Sequence, residues 1–170
     1  MMIALTGTPG TGKTTIASLL RARGMQVISQ KDTMAPYVIE HDLERDTDII
    51  DDEAWADDFV PIDGIIEGHL THILPADRVV VLRCRPDILA ARLRKRGYTE
   101  EKVQENAEAE ALDMIFIEAL EVHPEEHITV IDTTTQSAQE TADDIEAFIC
   151  GDAPHSLIVP DWSEFLGRTV

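Results

Sequence analysis

Near the start of the chain, residues 7–14 have a pattern whose chemistry is phosphate binding. The stretch reads GTPGTGKT and matches G-x-x-x-x-G-K-[ST] at every fixed position. Gly10 and Gly12 let the backbone turn tightly, so that successive N–H groups point inward at phosphate oxygens. Lys13 is placed to reach the β- and γ-phosphates of ATP or a similar nucleoside triphosphate. An apolar run before the loop and helical spacing after it favour a phosphate loop over a chance glycine turn.

The same loop predicts a magnesium site. The Thr14 hydroxyl can bind Mg²⁺, and Thr15 can offer its hydroxyl or its backbone N–H to the α-phosphate. Mg²⁺ also takes a carboxylate from the end of a neighbouring strand. Glu67, which ends the apolar run GIIE, fits that role. Its rival Asp63 precedes the run and should lie at the opposite edge of the sheet.

A histidine follows the proposed metal acid by two residues. His69 could orient an attacking water or a substrate hydroxyl, although a structural or loop histidine fits the pattern equally well. A metal site shared by His69 and His72 is disfavoured, because no further ligands are spaced to complete it.

Basic side chains cluster late in the chain. Seven of the 14 lysines and arginines fall between Arg78 and Arg96. Arg92 and Arg96 are four residues apart and share one helix face, from which they can neutralise a transferring phosphoryl group. The alternative is an exposed face paired with acids. The glycine after Arg96 favours the catalytic role there, whereas Arg94 and Lys95 are expected to be surface residues.

Strands and helices alternate along the chain and would position these residues. Apolar runs predict strands at residues 2–6, 25–29, 64–67, 79–83 and 127–132. Apolar periodicity predicts helices at residues 14–23, 87–96, 100–122 and 137–149. The opening strand–helix–strand order is typical of an α/β fold with a parallel sheet. We expect a single domain over residues 1–170, with the apolar tail 151–170 docked on its body.

Residues 31–62 break this alternation. They contain two prolines and, between Glu40 and Asp58, ten acidic residues. The segment fits a solvated helical insertion, and it fits equally an arm that closes over a substrate.

The composition restricts the partners and the compartment. A formal net charge of −19 argues against strong direct nucleic-acid binding. The acidity fits a salty cell interior or a basic partner, and its even spread favours the first. Cys84 and Cys150 form no spaced motif and are predicted to be buried thiols in a reducing cytosol. No apolar run reaches the ~18 residues of a membrane span, so we expect a cytoplasmic protein.

Three segments resemble one known family. The loop GTPGTGKTT, the segment IIEGHL and the run RLRKRGYTEEKVQENAEAE look like the archaeal and eukaryotic adenylate-kinase-like ATPases of small ribosomal subunit maturation. The eukaryotic counterpart is the nuclear adenylate kinase isoenzyme. The resemblance covers about residues 1–148. It implies a P-loop NTPase fold, with a five-stranded parallel sheet flanked by helices. It also implies a monophosphate-binding arm at about residues 29–52 and a lid at about 96–106.

The resemblance also implies an activity. Family members resemble broad-specificity nucleoside monophosphate kinases that hydrolyse ATP and assist late maturation of small-subunit rRNA, bound to a platform ribosomal protein. The implied ATP contacts are Gly10, Gly12, Lys13, Thr14, Thr15 and the lid arginine Arg96. Glu67 would be the metal-site acid and His69 the residue that positions water.

The acceptor side departs from the family pattern. Family arms carry an arginine that grips the acceptor phosphate, whereas this chain reads KDTMAP at residues 31–36. Lys31 or Arg45 could substitute, but lysine lacks the bidentate fork of arginine. The acids around Arg45 would also repel a monophosphate. Three functions therefore stay open: a monophosphate kinase with ATPase activity, an ATPase assembly switch with little kinase activity, and a small-metabolite kinase.

Overall fold

A computed structural model describes residues 1–42 and 47–170, and its strands and helices alternate as expected. The strands are β1 (Met2–Gly7), β2 (Val27–Ser29), β3 (Val38–Asp42), β4 (Thr47–Ile50), β5 (Gly64–Glu67), β6 (Arg78–Arg83) and β7 (Ile128–Asp132). The α-helices are α1 (Lys13–Ala22), α2 (Lys31–Met34), α3 (Asp52–Asp58), α4 (Pro86–Lys95), α5 (Glu100–Ala111), α6 (Met114–Val122) and α7 (Ala138–Cys150).

The main sheet is parallel and five-stranded, in the order β2-β5-β1-β6-β7, which confirms the expected fold class. Its central strand β1 is buried along its whole length, as its unbroken apolar run requires. In register, Leu5 of β1 lies opposite Glu67 of β5, and Gly7 lies opposite Leu82 of β6. The carboxyl ends of the central strands therefore meet at one edge, directly below the glycine-rich loop.

Alternate residues of the strands face two different apolar layers. On one face, Ile3 and Leu5 of β1 pack with residues of α1 and α7. On the other face, Met2 and Ala4 pack in a cluster that includes side chains from α3 and α6. Both layers consist mostly of aliphatic side chains. This two-sided burial holds the sheet edge that carries the loop in a rigid frame.

The predicted long helix over residues 100–122 is wrong, because the chain breaks into α5 and α6. Asp113, between them, has a left-handed backbone with φ 56°. The break is stabilised from outside the helix: Arg83 of β6 donates hydrogen bonds to the Glu110 carbonyl at 2.7 Å and to the Asp113 carboxylate. No glycine or proline marks the site, so periodicity alone could not reveal it.

Residues 31–62 form a mixed insertion that is not purely helical. Strands β3 and β4 pair as an antiparallel hairpin, and α3 follows with Asp51 accepting a capping hydrogen bond from the Ala54 N–H. Trp55 of α3 is buried and donates its indole N–H to the Thr33 hydroxyl at 3.1 Å. The candidate acceptor contact Arg45 lies outside the described residues.

The tail after α7 packs along the edge of the sheet. The Val130 N–H of β7 donates to the Ser156 carbonyl at 2.7 Å, and the Ser156 N–H donates to the Thr129 hydroxyl at 3.2 Å. Further along, Trp162 is buried against the body. The tail thereby covers the unpaired edge of β7, which would otherwise be open to another chain.

The two cysteines differ in exposure. Cys84 is buried, and burial raises the pKa of its thiol to about 11, so it is unreactive at neutral pH. The prediction that Cys150 is also buried is wrong: it ends α7 on the exposed side of the helix. Among the helices that the structure describes, none is long and apolar enough to cross a membrane.

Candidate functional site

The phosphate loop connects β1 to α1, at the sheet edge where the central strands end. Gly7 and Gly12 have positive φ angles of 143° and 104°, which residues with a Cβ rarely adopt. A Cβ at Gly7 would also collide with the Leu82 carbonyl of the neighbouring strand. The pattern of glycines in the sequence thus follows from backbone geometry and from the close approach of β6.

Lys13 lies inside the loop. Its ammonium donates hydrogen bonds to the carbonyls of Gly7 at 2.5 Å and Thr8 at 3.1 Å. Burial lowers its pKa to about 8, while the negative charges of Glu67 and Glu110 act in the opposite direction. The lysine is thus held inside the loop by two backbone carbonyls of the loop itself.

Glu67 lies where the sequence placed it, buried at the carboxyl end of β5. Thr14, in the first turn of α1, is exposed. A carboxylate and a hydroxyl are hard oxygen donors, so both fit Mg²⁺, which keeps several waters and phosphate oxygens as its other ligands. Asp63 lies at the opposite end of β5 and pairs with the amino group of Met1 at 2.9 Å. The geometry therefore favours Glu67 over Asp63.

Gln30 determines the tautomer of His69, and sequence reasoning missed it. The Gln30 carbonyl oxygen Oε1 accepts the Leu70 N–H at 2.9 Å, so its amide nitrogen must face His69 Nδ1, 3.1 Å away. Nδ1 therefore accepts, and the proton of the neutral ring sits on Nε2. His69 accordingly presents an N–H donor, which can hold an oxygen but cannot take a proton from it.

His69 is neutral at pH 7. Desolvation lowers its pKa to about 4, and the positive charge of Lys13 acts in the same direction. Part of the histidine nevertheless remains exposed to solvent. Gly68 permits this arrangement, because a Cβ there would lie 2.5 Å from the Cβ of Gln30. Gln30 directly follows Ser29, which lies opposite Glu67 in the sheet. A predicted pairing of these two strands could therefore have located Gln30 beside His69.

Arg92 and Arg96 occupy different environments. Arg92 donates to the Thr133 carbonyl at 2.8 Å and to the Gly10 carbonyl at 3.3 Å, so it clamps the loop to the turn after β7. Arg96 follows the last residue of α4 as its C-cap and is exposed. Its backbone N–H donates to the Leu93 carbonyl at 2.9 Å, but within the described residues its guanidinium has no hydrogen bond or ion pair. Both line a cleft of about 190 Å³ that also includes Gly12. Only Arg96 is free to turn toward a phosphate.

The remaining predicted residues lie around this cleft or beside it. Thr15 lines the cleft and is exposed. Lys31 begins α2 directly after Gln30, and its charge contributes to the lowered pKa of His69. Arg94 pairs with Glu100 at 2.7 Å on the surface. The acceptor role of Lys31 stays a prediction, as does that of Arg45.

A sequence profile of the AAA domain family matches residues 3–113. The protein named "Putative adenylate kinase" of Archaeoglobus fulgidus is 46% identical over 152 residues, which cover 89% of this chain and 84% of that protein. The protein of the same name in Natronomonas pharaonis is 43% identical over 169 residues, which cover 98% and 100%.

Solved structures show the same fold at low identity. Shikimate kinase from Acinetobacter baumannii superposes with a TM-score of 0.61 at 16% identity, covering 89% of this chain and 93% of that one. Deoxyadenosine kinase from M. mycoides has a TM-score of 0.58 at 16% identity, covering 90% and 100%. The family profile and the archaeal relatives show that the chain belongs to the AAA domain family of P-loop proteins, together with the archaeal proteins named "Putative adenylate kinase".

Proposed function

We propose that this protein is an adenylate or broad-specificity nucleoside monophosphate kinase that also hydrolyses ATP. The observation that carries the proposal is the proximity of Lys13, Glu67 and His69 at one sheet edge, where the charge of Glu67 raises the pKa of Lys13 and the charge of Lys13 lowers the pKa of His69. A separate cleft is lined by Gly10, Thr11 and Gly12 of the phosphate loop. The names of the archaeal relatives support the kinase activity.

The residues would divide the work of phosphoryl transfer. The loop amides and Lys13 bind the phosphates, and Arg96 turns inward from the end of α4 to neutralise charge that develops on the γ-phosphoryl group. Thr14 and Glu67 would hold Mg²⁺, which when bound would reduce the negative charge on the phosphates. His69 donates its Nε2–H to the attacking oxygen and so orients it. Positioning and charge neutralisation suffice, since this reaction needs no strong base.

Hydrolysis follows from a weak hold on the acceptor. Lys31 and Arg45 are the only lysine and arginine of the arm at residues 29–52. Lys31 binds phosphate as a point charge without the fork of arginine, and the acids around Arg45 in the sequence would repel a monophosphate. The acceptor would therefore be held loosely and water could compete. This same weakness favours the second candidate, an ATPase assembly switch with little kinase activity. Likeness to shikimate kinase is of the fold alone and does not favour a small-metabolite kinase.

We further propose a role in small-subunit rRNA maturation with a platform ribosomal protein as partner. The family resemblance of the segments IIEGHL and RLRKRGY supports it, and the net charge of −19 would attract a basic partner. Titration with the purified platform protein of the same organism, at 0.1 M and about 1 M salt, tests this part separately. An absence of binding at both would remove the ribosomal role and leave the enzyme activity standing.

The deciding experiment separates nucleotides after incubation with Mg-ATP, with and without AMP, at low and at molar salt. Lys13→Ala is the blank, and Lys95→Ala controls for loss of an exposed lysine. ADP formed from ATP and AMP well above phosphate release would support the kinase. Phosphate release with AMP untouched would make the protein an ATPase switch.

A further inference from the structure

A buried polar network joins the phosphate loop to α5 and to the C-terminal tail. We infer that Glu110 is a positioning residue for the phosphate loop, and that the tail supports it through Arg83. The inference rests on the proposed nucleotide-binding role of the loop. It concerns residues that lie outside the reacting groups.

Glu110 is the centre of this network. It is 2% exposed, and its Oε2 accepts a hydrogen bond from the hydroxyl of Thr8, inside the loop. Its Oε1 accepts from the Cys84 N–H at 2.9 Å and from Arg83 Nε at 2.7 Å. One carboxylate therefore fixes the loop to the end of β6, the strand beside β1.

Arg83 connects Glu110 to the tail. The arginine is 1% exposed, and its guanidinium carbon lies 4.8 Å from the ring centre of Trp162. The face of an aromatic ring attracts such a cation, more so when both are desolvated. Within the described residues, Nη1 of Arg83 has no hydrogen-bond partner, so the Trp162 ring is an added favourable contact for this buried cation.

The position of Thr8 matters for catalysis because its carbonyl is part of the lysine site. That carbonyl accepts from Lys13 Nζ at 3.1 Å and from the Thr11 N–H at 3.2 Å. A shift of Thr8 would move both the ammonium and the turn of the loop. Glu110 also acts on Lys13 electrostatically, as its negative charge favours the ammonium form. Loss of the tether should therefore loosen nucleotide binding before it affects the fold.

The first test uses Thr8→Val, which keeps the shape and removes the hydroxyl. We expect faster amide hydrogen exchange at residues 8–12 in the ligand-free protein and about 10-fold weaker Mg-ATP binding. Thr8→Ser should restore both. Thr33→Val is the matched control, since it removes a hydroxyl that accepts from the buried Trp55, outside this network. It should lower the melting temperature without changing loop exchange. Equal exchange in Thr8→Val and wild type would overturn the inference.

The second test asks whether Glu110 and the tail act through Thr8. Glu110→Gln keeps the volume, and combining it with Thr8→Val should add little to loop exchange if the two share one pathway. Trp162→Ala should speed exchange at residues 8–12, whereas Trp162→Phe keeps a ring for Arg83 and should not. The inference would be overturned if the effects of Glu110→Gln and Thr8→Val on loop exchange were additive, or if Trp162→Ala left loop exchange unchanged. A wild type that binds Mg-ATP but phosphorylates no AMP would remove the proposed kinase and leave this inference intact.

Discussion

Lys13 and His69 show how surroundings change ordinary side chains. Burial inside the loop lowers the lysine pKa to about 8, close to neutral pH, and the charge is offset by two backbone carbonyls. The histidine pKa falls to about 4, and Gln30 selects the tautomer that donates. The lysine is thus held by carbonyls of its own loop motif, whereas the histidine is controlled by Gln30, which lies outside any sequence pattern.

The lowered pKa of Lys13 predicts a pH-dependent affinity for ATP. Phosphate favours the ammonium form and raises the pKa on binding, so the free protein must take up a proton above pH 8. Affinity should be constant below pH 8 and fall by up to about tenfold per pH unit above it. Calorimetry at pH 8.5 in two buffers of different ionisation enthalpy should detect proton uptake, which Lys13→Arg should abolish because arginine stays protonated. Constant affinity between pH 7.5 and 9.5 would contradict it.

Gln30→Glu should reverse the tautomer of His69. One carboxylate oxygen still accepts the Leu70 N–H, and the other then requires a proton on Nδ1. Nε2 becomes an acceptor, the histidine pKa rises, and we expect about 10-fold slower turnover. Nitrogen chemical shifts of the imidazole report the tautomer directly. Gln26→Glu, at the opposite end of β2, adds the same charge as a control, and an unchanged Nε2–H in Gln30→Glu would refute the assignment.

At the scale of elements, the site depends on where helices and strands stop. The end of β5 meets the junction of β2 and α2 so closely that Gly68 is required. The break between α5 and α6 lets Arg83 reach the Glu110 carbonyl, and α4 ends at Lys95, just before Arg96, which lines the cleft. Helix ends, rather than helix interiors, carry the functional contacts here.

The left-handed break at Asp113 predicts different effects of two substitutions. Asn tolerates that backbone and can still accept from Arg83, so Asp113→Asn should cost less than about 1 kcal/mol. Asp113→Val combines a β-branched side chain at positive φ with loss of a partner for Arg83, and should cost at least about 2 kcal/mol. Urea unfolding measures both free energies. Equal values for the two variants would mean that the break is not under backbone constraint.

At the scale of the whole molecule, charge is the dominant feature. Acidic residues number 33 against 14 basic ones, and both halves of the chain carry the excess. Like charges on one surface repel each other and oppose the compact state, and salt screens that repulsion. The few ion pairs at Arg23, Arg83 and Arg94 cannot offset so large an excess.

Salt should therefore stabilise the protein. Between 0.1 M and about 2 M KCl we expect the melting temperature to rise by roughly 5 °C or more. Replacing three exposed acids with amides (Asp57→Asn, Glu121→Gln and Asp152→Asn) should raise the melting temperature at 0.1 M KCl and reduce its increase with added salt. Differential scanning calorimetry provides both numbers. An equal gain in wild type and variant would attribute the effect to salting-out of apolar surface instead of charge screening.

The sequence by itself determined the phosphate loop, the parallel sheet and the sheet edge at which Glu67 lies. These follow from local rules, because glycine geometry, strand burial and the direction of parallel strands act within a few residues or one βαβ unit. The sequence also predicted that Arg92 and Arg96 lie on one helix face. It did not show that Arg92 binds the phosphate loop while Arg96 stays exposed.

Only the tertiary structure decided the contacts between residues far apart in the chain. Gln30 selects the His69 tautomer across 39 residues, Arg83 breaks a helix that periodicity makes continuous, and Glu110 holds Thr8 across 102 residues. Apolar periodicity indicates which side of a helix or strand is buried. It carries no information about which polar group elsewhere in the chain will pack against that side. Such pairings arise when buried donors and acceptors must find partners within the packed core.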